Sequence, residues 1–433
     1  MNLPFFIARR IAFAGKRNFS SIIIRIAIVA VALSVAVMIT ASALISGFKT
    51  EISKKIFEFW GHIHIASAIT DSATADATPV SDSLPFLDAL RKTGQVPFAV
   101  PSTILGFETD GEAEKLTHGG IRHVQAFALK PGIIRSKTAM EGIILKGVSN
   151  TFDWENLKPY LEEGAPPALN DTAPSREILI SRQTANRLQV GIKDKFVVHF
   201  VKEGQQAKRL FEVCGIYKTG LEEYDRKFAL CDLRQVQELL DWAPNQVAGF
   251  EVWLDDIRDL DVFNQYVYEE MIPTDLVSAS IREKFPAIFE WLQLQDLNEF
   301  VILGLMLAVA IINMITALLV LVLERTNMIG ILKALGARNG SIREIFLYHA
   351  AVITLNGMFW GNLIGIGLCL LQQKFRFLRL NEADYYLSYA PVKFEWFTLL
   401  SINIGTLLIT ILFLLIPSFV VSKISPVKAI RFR

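Results

Sequence analysis

The sequence predicts a membrane protein of four transmembrane helices, with a large mixed α/β domain (a porter-like lobe carrying an inserted second lobe) between the first and the second. Three observations carry this. Four stretches of the 433-residue chain, 26–48, 300–323, 345–373 and 396–422, contain no Asp, Glu, Lys or Arg. Each exceeds the roughly 20 apolar residues that cross a bilayer core. Between the first two lie about 250 residues rich in charge and proline, enough to bury a core of their own. Hydrophobic residues make up 52% of the chain, while 44 basic residues nearly cancel 43 acidic ones. The total charge therefore says little about partners, and nothing in it points to nucleic acid.

The organisation follows in order. Residues 1–21 mix Phe5, Phe6 and Phe13 with Arg9, Arg10, Lys16 and Arg17, as a cytoplasmic interfacial segment does. Transmembrane helix 1 covers 22–48. Its apolar run is longer than that of a cleaved signal peptide and three more spans follow, so it reads as an uncleaved anchor. The α/β domain with its stalk helices covers 49–298, helix 2 covers 299–323, a cytoplasmic loop 324–347 and helix 3 348–373. An outer loop at 374–395, helix 4 at 396–421 and a tail at 422–433 complete the chain. Within lipid each backbone polar group must be paired in its own segment, so the spans are helices. Arg9, Arg10, Lys16, Arg17 and Arg25, then Arg325, Lys333, Arg338 and Arg343, then Lys423, Lys428, Arg431 and Arg433 flank the spans. The excess of basic residues puts these three segments, and both termini, in the cytoplasm. The 374–395 loop also has four bases, diluted by three acids.

Outside the first span, Phe48, Ile52, Ile56 and Trp60 repeat at helical spacing, as do Phe285, Ile288, Phe289, Leu292 and Leu297 before the second. Both read as amphipathic stalks. In the domain, strand-like 62–66, 96–107, 195–201, 210–217, 227–231 and 250–254 alternate with helix-like 83–92, 181–188 and 260–271, which suggests βαβ units. Two such units far apart in sequence imply one lobe with the middle inserted. Residues 67–83 read as a polar link and 162–174 as a loop.

Motifs exclude as much as they indicate. No G-x-x-x-x-G-K-[ST] phosphate loop occurs, so ATP hydrolysis by this chain is not expected and it needs no cofactor itself. No span carries Asp, Glu, Lys or His in its middle, which argues against an ion-driven transporter. His62, His64, His118 and His123 lack carboxylate or cysteine partners at ligand spacing, so no metal site is expected. Cys214 and Cys231 lie in strand-like runs; a disulfide and two buried free thiols are both open. Gly357, Gly361 and Gly365 form a small-residue face on helix 3 that allows close helix packing, within one chain or across a dimer. Asn313, Asn356, Asn362 and Asn403 suit bonds between helices. In the loop after helix 2, Ile329, Leu332 and Leu335 fall near one face of a short helix ended by Gly336. Such a helix docks into a partner groove or lies on the lipid surface.

The segment 328–337, the Gly47-Phe48 elbow followed by Glu51 and Ile56, and the tail Pro417-Ser418 with Pro426-Val427-Lys428-Ala429-Ile430-Arg431 resemble the FtsX/MacB superfamily of ABC transporter permeases. Within it, the chain is similar to the lipoprotein-releasing permeases of the LolC/LolE type, over nearly its whole length. The resemblance implies mechanotransmission. An ABC ATPase subunit dimer binds ATP and drives two permease chains, self or homologous, whose stalks relay the motion outward. It places Arg325, Met328, Ile329, Gly330, Ile331, Leu332, Lys333 and Leu335 on the ATPase. Many relatives carry an acid where this chain has Met328. The cargo implied is an acylated lipoprotein drawn from membrane lipid of a Gram-negative inner membrane. Phe57, Phe59, Trp60, Phe289, Trp291 and Phe300 stand where its entrance would be; an aromatic belt at the interface is the alternative for each. A periplasmic lipoprotein carrier is a further implied partner, although the turn at 201–209 is short beside the extended hairpin with which some such subunits grip it. A MacB-like efflux permease and an FtsX-like scaffold for a wall hydrolase are the other functions the superfamily offers. The absence of a fused ATPase argues against the first, and the size of the α/β domain against the second.

Overall fold

The computed structural model describes residues 19–68, 78–104, 107–135, 140–169, 173–202 and 205–419. The interfacial segment before residue 19, most of the 67–83 link and the basic tail from 420 onward lie outside the described residues. The described chain divides into two compact units. One comprises residues to Glu51, Glu290–Leu380 and 389 onward; the other Ile52–Phe289 and Asn381–Ser388.

The first helix, α1 (Phe19–Trp60), is one unbroken run of 42 residues. At 1.5 Å per residue it is about 63 Å long, roughly twice a bilayer core. Its most apolar window has a mean hydropathy of 2.9. It stops because Gly61 adopts φ +74 and returns its N–H to the Phe57 carbonyl at 2.9 Å, the left-handed ending glycine permits without a Cβ penalty.

The α/β domain has strands β1 (Ile63–Ser67), β2 (Val80–Ser81), β3 (Pro97–Ile104), β4 (Phe107–Leu116) and β5 (Ile121–Arg135). Next come β6 (Met140–Val148), β7 (Leu161–Gly164), β8 (Glu177–Ser181), β9 (Lys195–Lys202) and β10 (Gln205–Tyr217). The last are β11 (Phe228–Asp232), β12 (Gln246–Val247), β13 (Gly249–Leu254) and β14 (Leu276–Ser280). Its main helices are α2 (Phe86–Lys92), α3 (Arg182–Leu188), α4 (Leu233–Leu240) and α5 (Leu260–Tyr266). Ten strands form one sheet in the order β14-β1-β13-β5-β6-β11-β8-β10-β7, with β9 pairing β10 and β5. The first and last segments of the domain meet as expected, since β1 lies between β13 and β14. Both of those pairings are antiparallel, whereas simple βαβ units would give parallel neighbours. Among the described residues the parallel pairs lie deeper in, at β6–β11 and β8–β10.

The long strand β5 joins the two parts, pairing β13 along its first half and β6 along its second. Lys130-Pro131-Gly132 reads as a turn, yet Pro131 stands in register with Ile144. His123 is on β5, and His118 lies in the connection between β4 and β5. Residues 162–164 of the expected 162–174 loop belong instead to β7, which pairs β10 at the sheet edge.

The membrane-spanning helices that follow are α6 (Pro286–Glu324), α8 (Asn339–Phe375) and α9 (Trp396–Ser418), with short α7 (Thr326–Ala334) between α6 and α8. With α1, four helices are long and apolar enough to cross a membrane. Their shared core includes Val31, Val35 and Ile39 of α1, Met314, Leu318 and Val322 of α6, and Phe346 and Ile353 of α8. Apolar side chains such as Ile26, Val29, Leu305, Ile312, Leu363 and Leu408 point outward, as helices in lipid require.

Candidate functional site

The short helix α7 begins where Arg325 leaves helical geometry after α6 (φ −96, ψ 15). It ends on Gly336 at φ +88. The Ala337 N–H reaches back to the Leu332 carbonyl at 3.0 Å and the Gly336 N–H to Lys333 at 3.0 Å, a glycine ending of the Schellman kind. The eight residues expected to meet a partner are not equivalent. Ile329 is fully buried in the helical core, Gly330 is buried, and Met328 and Leu332 pack against that core. Arg325 and Lys333 are half-buried. Only Ile331 (49% exposed) and Leu335 (79%) present apolar surface outward. The expected face of Ile329, Leu332 and Leu335 is therefore corrected. At 100° per residue these three spread over about 120° of the helix, whereas Ile331 and Leu335 lie within about 40° of each other.

The aromatic residues at the stalks separate in the same way. Phe57, Phe59, Trp60 and Phe289 are all buried. Phe57 stacks on Phe289 with centroids 5.8 Å apart, and Trp60 meets Phe228 edge-on at 4.6 Å. Phe59 lies 5.8 Å from Tyr217. These four are core of the α/β domain. In the helical unit Trp291 is half-buried, 5.3 Å from Phe48, and Phe300 is 75% exposed. Helical spacing gave their common face but not what covers it.

Beneath the end of α1 is a polar cluster that the sequence did not reveal. His64, Glu251 and Gln125 stand in register on neighbouring strands β1, β13 and β5. Lys146 of β6 reaches Glu251 at 2.7 Å with neither side chain exposed, and Gln125 donates to the same carboxylate at 2.9 Å. Lys146 Nζ also donates to the Phe59 carbonyl at 3.0 Å and lies 4.7 Å from the Trp60 ring centroid. Trp253 Nε1 donates to the Phe57 carbonyl at 3.2 Å. The last turn of a helix leaves carbonyls without intrahelical partners and favours a cation there; both needs are met by residues of the sheet. Burial pulls the Lys146 ammonium below its ordinary value, and Glu251 offsets part of that. Burial, then Lys284 and Lys146, hold His64 well below the usual imidazole range. Burial and Arg122 bring His62 down to about 4, in keeping with its Nδ1 accepting the Leu254 N–H at 2.8 Å. Among the described residues no group of His, Cys, Asp and Glu is arranged to hold a metal ion.

Cys214, Cys231 and Cys369 are free thiols. Strand β8 separates β10 from β11, so Cys214 and Cys231 stand two strand spacings apart, roughly 9.5 Å, beyond the reach of a disulfide. Burial, and then Glu177, push the Cys214 thiol up to about 12.

On α8, Gly357, Gly361 and Gly365 face α1 of the same chain. A Cβ at Gly361 would stand 2.7 Å from Val35 Cβ and 2.8 Å from the Ala32 carbonyl; at Gly357 it would meet Val31 Cβ at 2.7 Å. Asn362 and Asn403 exchange side-chain hydrogen bonds at 2.6 and 3.0 Å between α8 and α9. Asn313 and Asn356 instead bond to carbonyls of their own helices, so only one pair of the four does what was expected.

Comparison with known proteins places these features. The FtsX-like permease C-terminal family matches residues 300–426. The lipoprotein-releasing system transmembrane protein LolE of Haemophilus influenzae is 22% identical, the alignment covering 99% of each chain. LolC of Neisseria meningitidis is 23% identical, over 100% of this chain and 99% of its own. LolC of Xylella fastidiosa is 24% identical, over 97% and 96%. Among solved structures, the extracellular domain of the transporter YknZ from Gram-positive bacteria aligns with 50% of this chain and 98% of its own, at 14% identity and a TM-score of 0.31. Four spanning helices, an α/β domain between the first two and an FtsX-like C-terminal segment define an ABC transporter permease, multi-pass in the membrane. Along its full length it is similar to permeases of the LolC/LolE type.

Proposed function

We propose that this chain is the permease of an ATP-driven complex that extracts acylated lipoproteins from the inner membrane of a Gram-negative bacterium for delivery towards the outer membrane. The observation that carries this is the likeness to lipoprotein-releasing LolC and LolE proteins over essentially the whole chain. In this reading a separate ABC ATPase dimer supplies the energy, docking on Ile331 of α7 and on Leu335 just after it. A second permease chain, identical or homologous, completes the pair. The basic residues around the spans support cytoplasmic termini and a periplasmic α/β domain.

The task explains why mechanical work is needed. At about 0.8 kcal/mol per buried CH₂, three acyl chains of roughly 15 carbons attach a lipoprotein by about 36 kcal/mol. Cargo must leave along an apolar path instead of through water. The exposed Phe300 lies at the start of the apolar run of α6, where cargo from the bilayer would arrive. The α1 and α6 helices extend beyond a bilayer's thickness and relay the motion. Because α1 is unbroken and its end is clamped by Lys146 and Trp253, displacement of its inner part is carried to the sheet with little slack.

Depletion of the protein in its host, followed by membrane fractionation, tests the reading. An acylated outer-membrane lipoprotein should accumulate in the inner membrane and return to the outer membrane on re-expression. Normal sorting, in a host without a second copy of the system, would move efflux or hydrolase regulation to the front.

A further inference from the structure

The connection between α8 and α9 is not a free loop. Its residues Asn381–Ser388 belong to the same compact unit as the α/β domain, whereas the chain on either side belongs to the helical unit. Lys218, at the end of β10, forms an ion pair with Glu382. Lys55 of α1 donates to the Tyr386 carbonyl at 2.9 Å. Gly220 sits so close that a Cβ there would stand 2.8 Å from Lys55 Nζ and 3.1 Å from the Tyr386 oxygen, at φ +80. The turn that receives the segment is shaped from behind. The buried Asp225 carboxylate accepts the Thr219 hydroxyl at 2.6 Å and the Gly220 N–H at 3.1 Å.

The neck of the loop is closed separately, within the helical unit. Gln372 of α8 donates to the Ala390 carbonyl at 2.9 Å and accepts the Leu378 N–H at 2.9 Å. Arg376 stacks on Tyr389 at 4.3 Å. Thus both strands of the neck are tied to α8, and the tip is tied to β10, the Gly220 turn and the stalk part of α1. The Lys218–Glu382 pair is 39% and 29% exposed, and a partly exposed pair of this kind holds weakly on its own. The segment is held by the pair, the Lys55 bond and the close approach at Gly220 together.

We propose that residues 381–388 are a strap, a third mechanical connection besides α1 and α6, that stays fastened to the α/β domain while α8 and α9 move. This rests on the permease reading above. Lys218, Lys55 and Glu382 are then positioning residues for coupling; they contact neither nucleotide nor the apolar path.

Two arms test it in the full complex. In a variant with Cys214, Cys231 and Cys369 replaced by serine, Lys218→Cys and Glu382→Cys are joined by a short bis-methanethiosulfonate reagent, with and without ATP. Crosslinking to a similar extent in both states, with ATPase activity kept, is expected. Failure to crosslink while each single cysteine is labelled, or crosslinking in one state only, overturns the proposal. In the second arm, Lys218→Glu is expected to cut release of an acylated lipoprotein from proteoliposomes several-fold at unchanged basal ATPase, and Lys218→Glu/Glu382→Lys to restore most of it. Wild-type release by the single variant, or a double variant no better than the single, also overturns it. If the unmodified complex releases no lipoprotein, the permease reading fails instead, and the crosslinking arm still decides the strap.

Discussion

Lys146 and Glu251, on strands β6 and β13, form an ion pair at 2.7 Å with both side chains fully buried, and Lys146 also bonds to the Phe59 carbonyl at the end of α1. The pair joins the sheet to the stalk. Removing one member of a buried pair leaves an uncompensated charge and costs about 3–5 kcal/mol, while replacing both by apolar residues costs far less. Lys146→Met should therefore destabilise the protein strongly, and Lys146→Met/Glu251→Leu should recover much of the loss. Denaturant unfolding of the full-length protein in detergent, followed by tryptophan fluorescence, measures both.

Ile331 of α7 and Leu335 at its C-terminal end face outward, whereas Ile329 fills the helical core. Ile331→Asp and Leu335→Asp should each reduce co-purification of the ATPase at least tenfold, about 1.4 kcal/mol, with the permease still accumulating in the membrane. Ile329→Asp should instead abolish accumulation, because it buries a charge among apolar side chains. Pull-down from membranes containing equal amounts of each variant checks the contrast.

Close packing of α8 on α1 gives a sharper comparison. Gly361→Ala would press a Cβ against Val35 and the Ala32 carbonyl, and overpacking of this kind costs roughly 1–3 kcal/mol. Gly367→Ala meets nothing within 4 Å and should be neutral or slightly stabilising, since alanine favours helix. In one detergent the Gly361→Ala variant should melt below the wild type and the Gly367→Ala variant at or above it.

The histidines of the stalk junction set a pH dependence. His62 sits at about 4 and His64 well below the usual value of 6.5, both chiefly through burial. An imidazole whose folded value is depressed binds its proton more readily when unfolded. Stability is therefore full above about pH 6.5 and falls as pH drops towards 4. Arg122 faces His62, and Lys146 and Lys284 act on His64, so protonation adds like charge. His64→Gln should flatten part of this slope in melts recorded from pH 7 to pH 4.5; an unchanged slope would remove His64 from the account.

Much of the architecture was legible because bilayers and helices impose strong periodic signals. The four charge-free runs and the Phe48, Ile52, Ile56, Trp60 repeat correspond to helices of the structure, and Gly61 supplies the stop. The course of β5 was hidden by Pro131-Gly132, whose local turn preference is overridden by pairing with β6. The Lys146–Glu251 pair leaves no trace in spacing, since only the sheet order brings β6 and β13 to either side of β5. For α7 and the stalk aromatics, periodicity identified the elements but not which neighbours cover them. Packing of Ile329 into the bundle, and of Trp60 between Phe228 and Phe285, decided that.

The most direct test of the central claim is ATP-dependent release of a triacylated lipoprotein from proteoliposomes containing the co-purified complex. Release into a soluble acceptor fraction that requires ATP, and is lost in the Ile331→Asp variant, is the result the account predicts. Robust ATP hydrolysis by the complex with the lipoprotein remaining in the vesicles would contradict it.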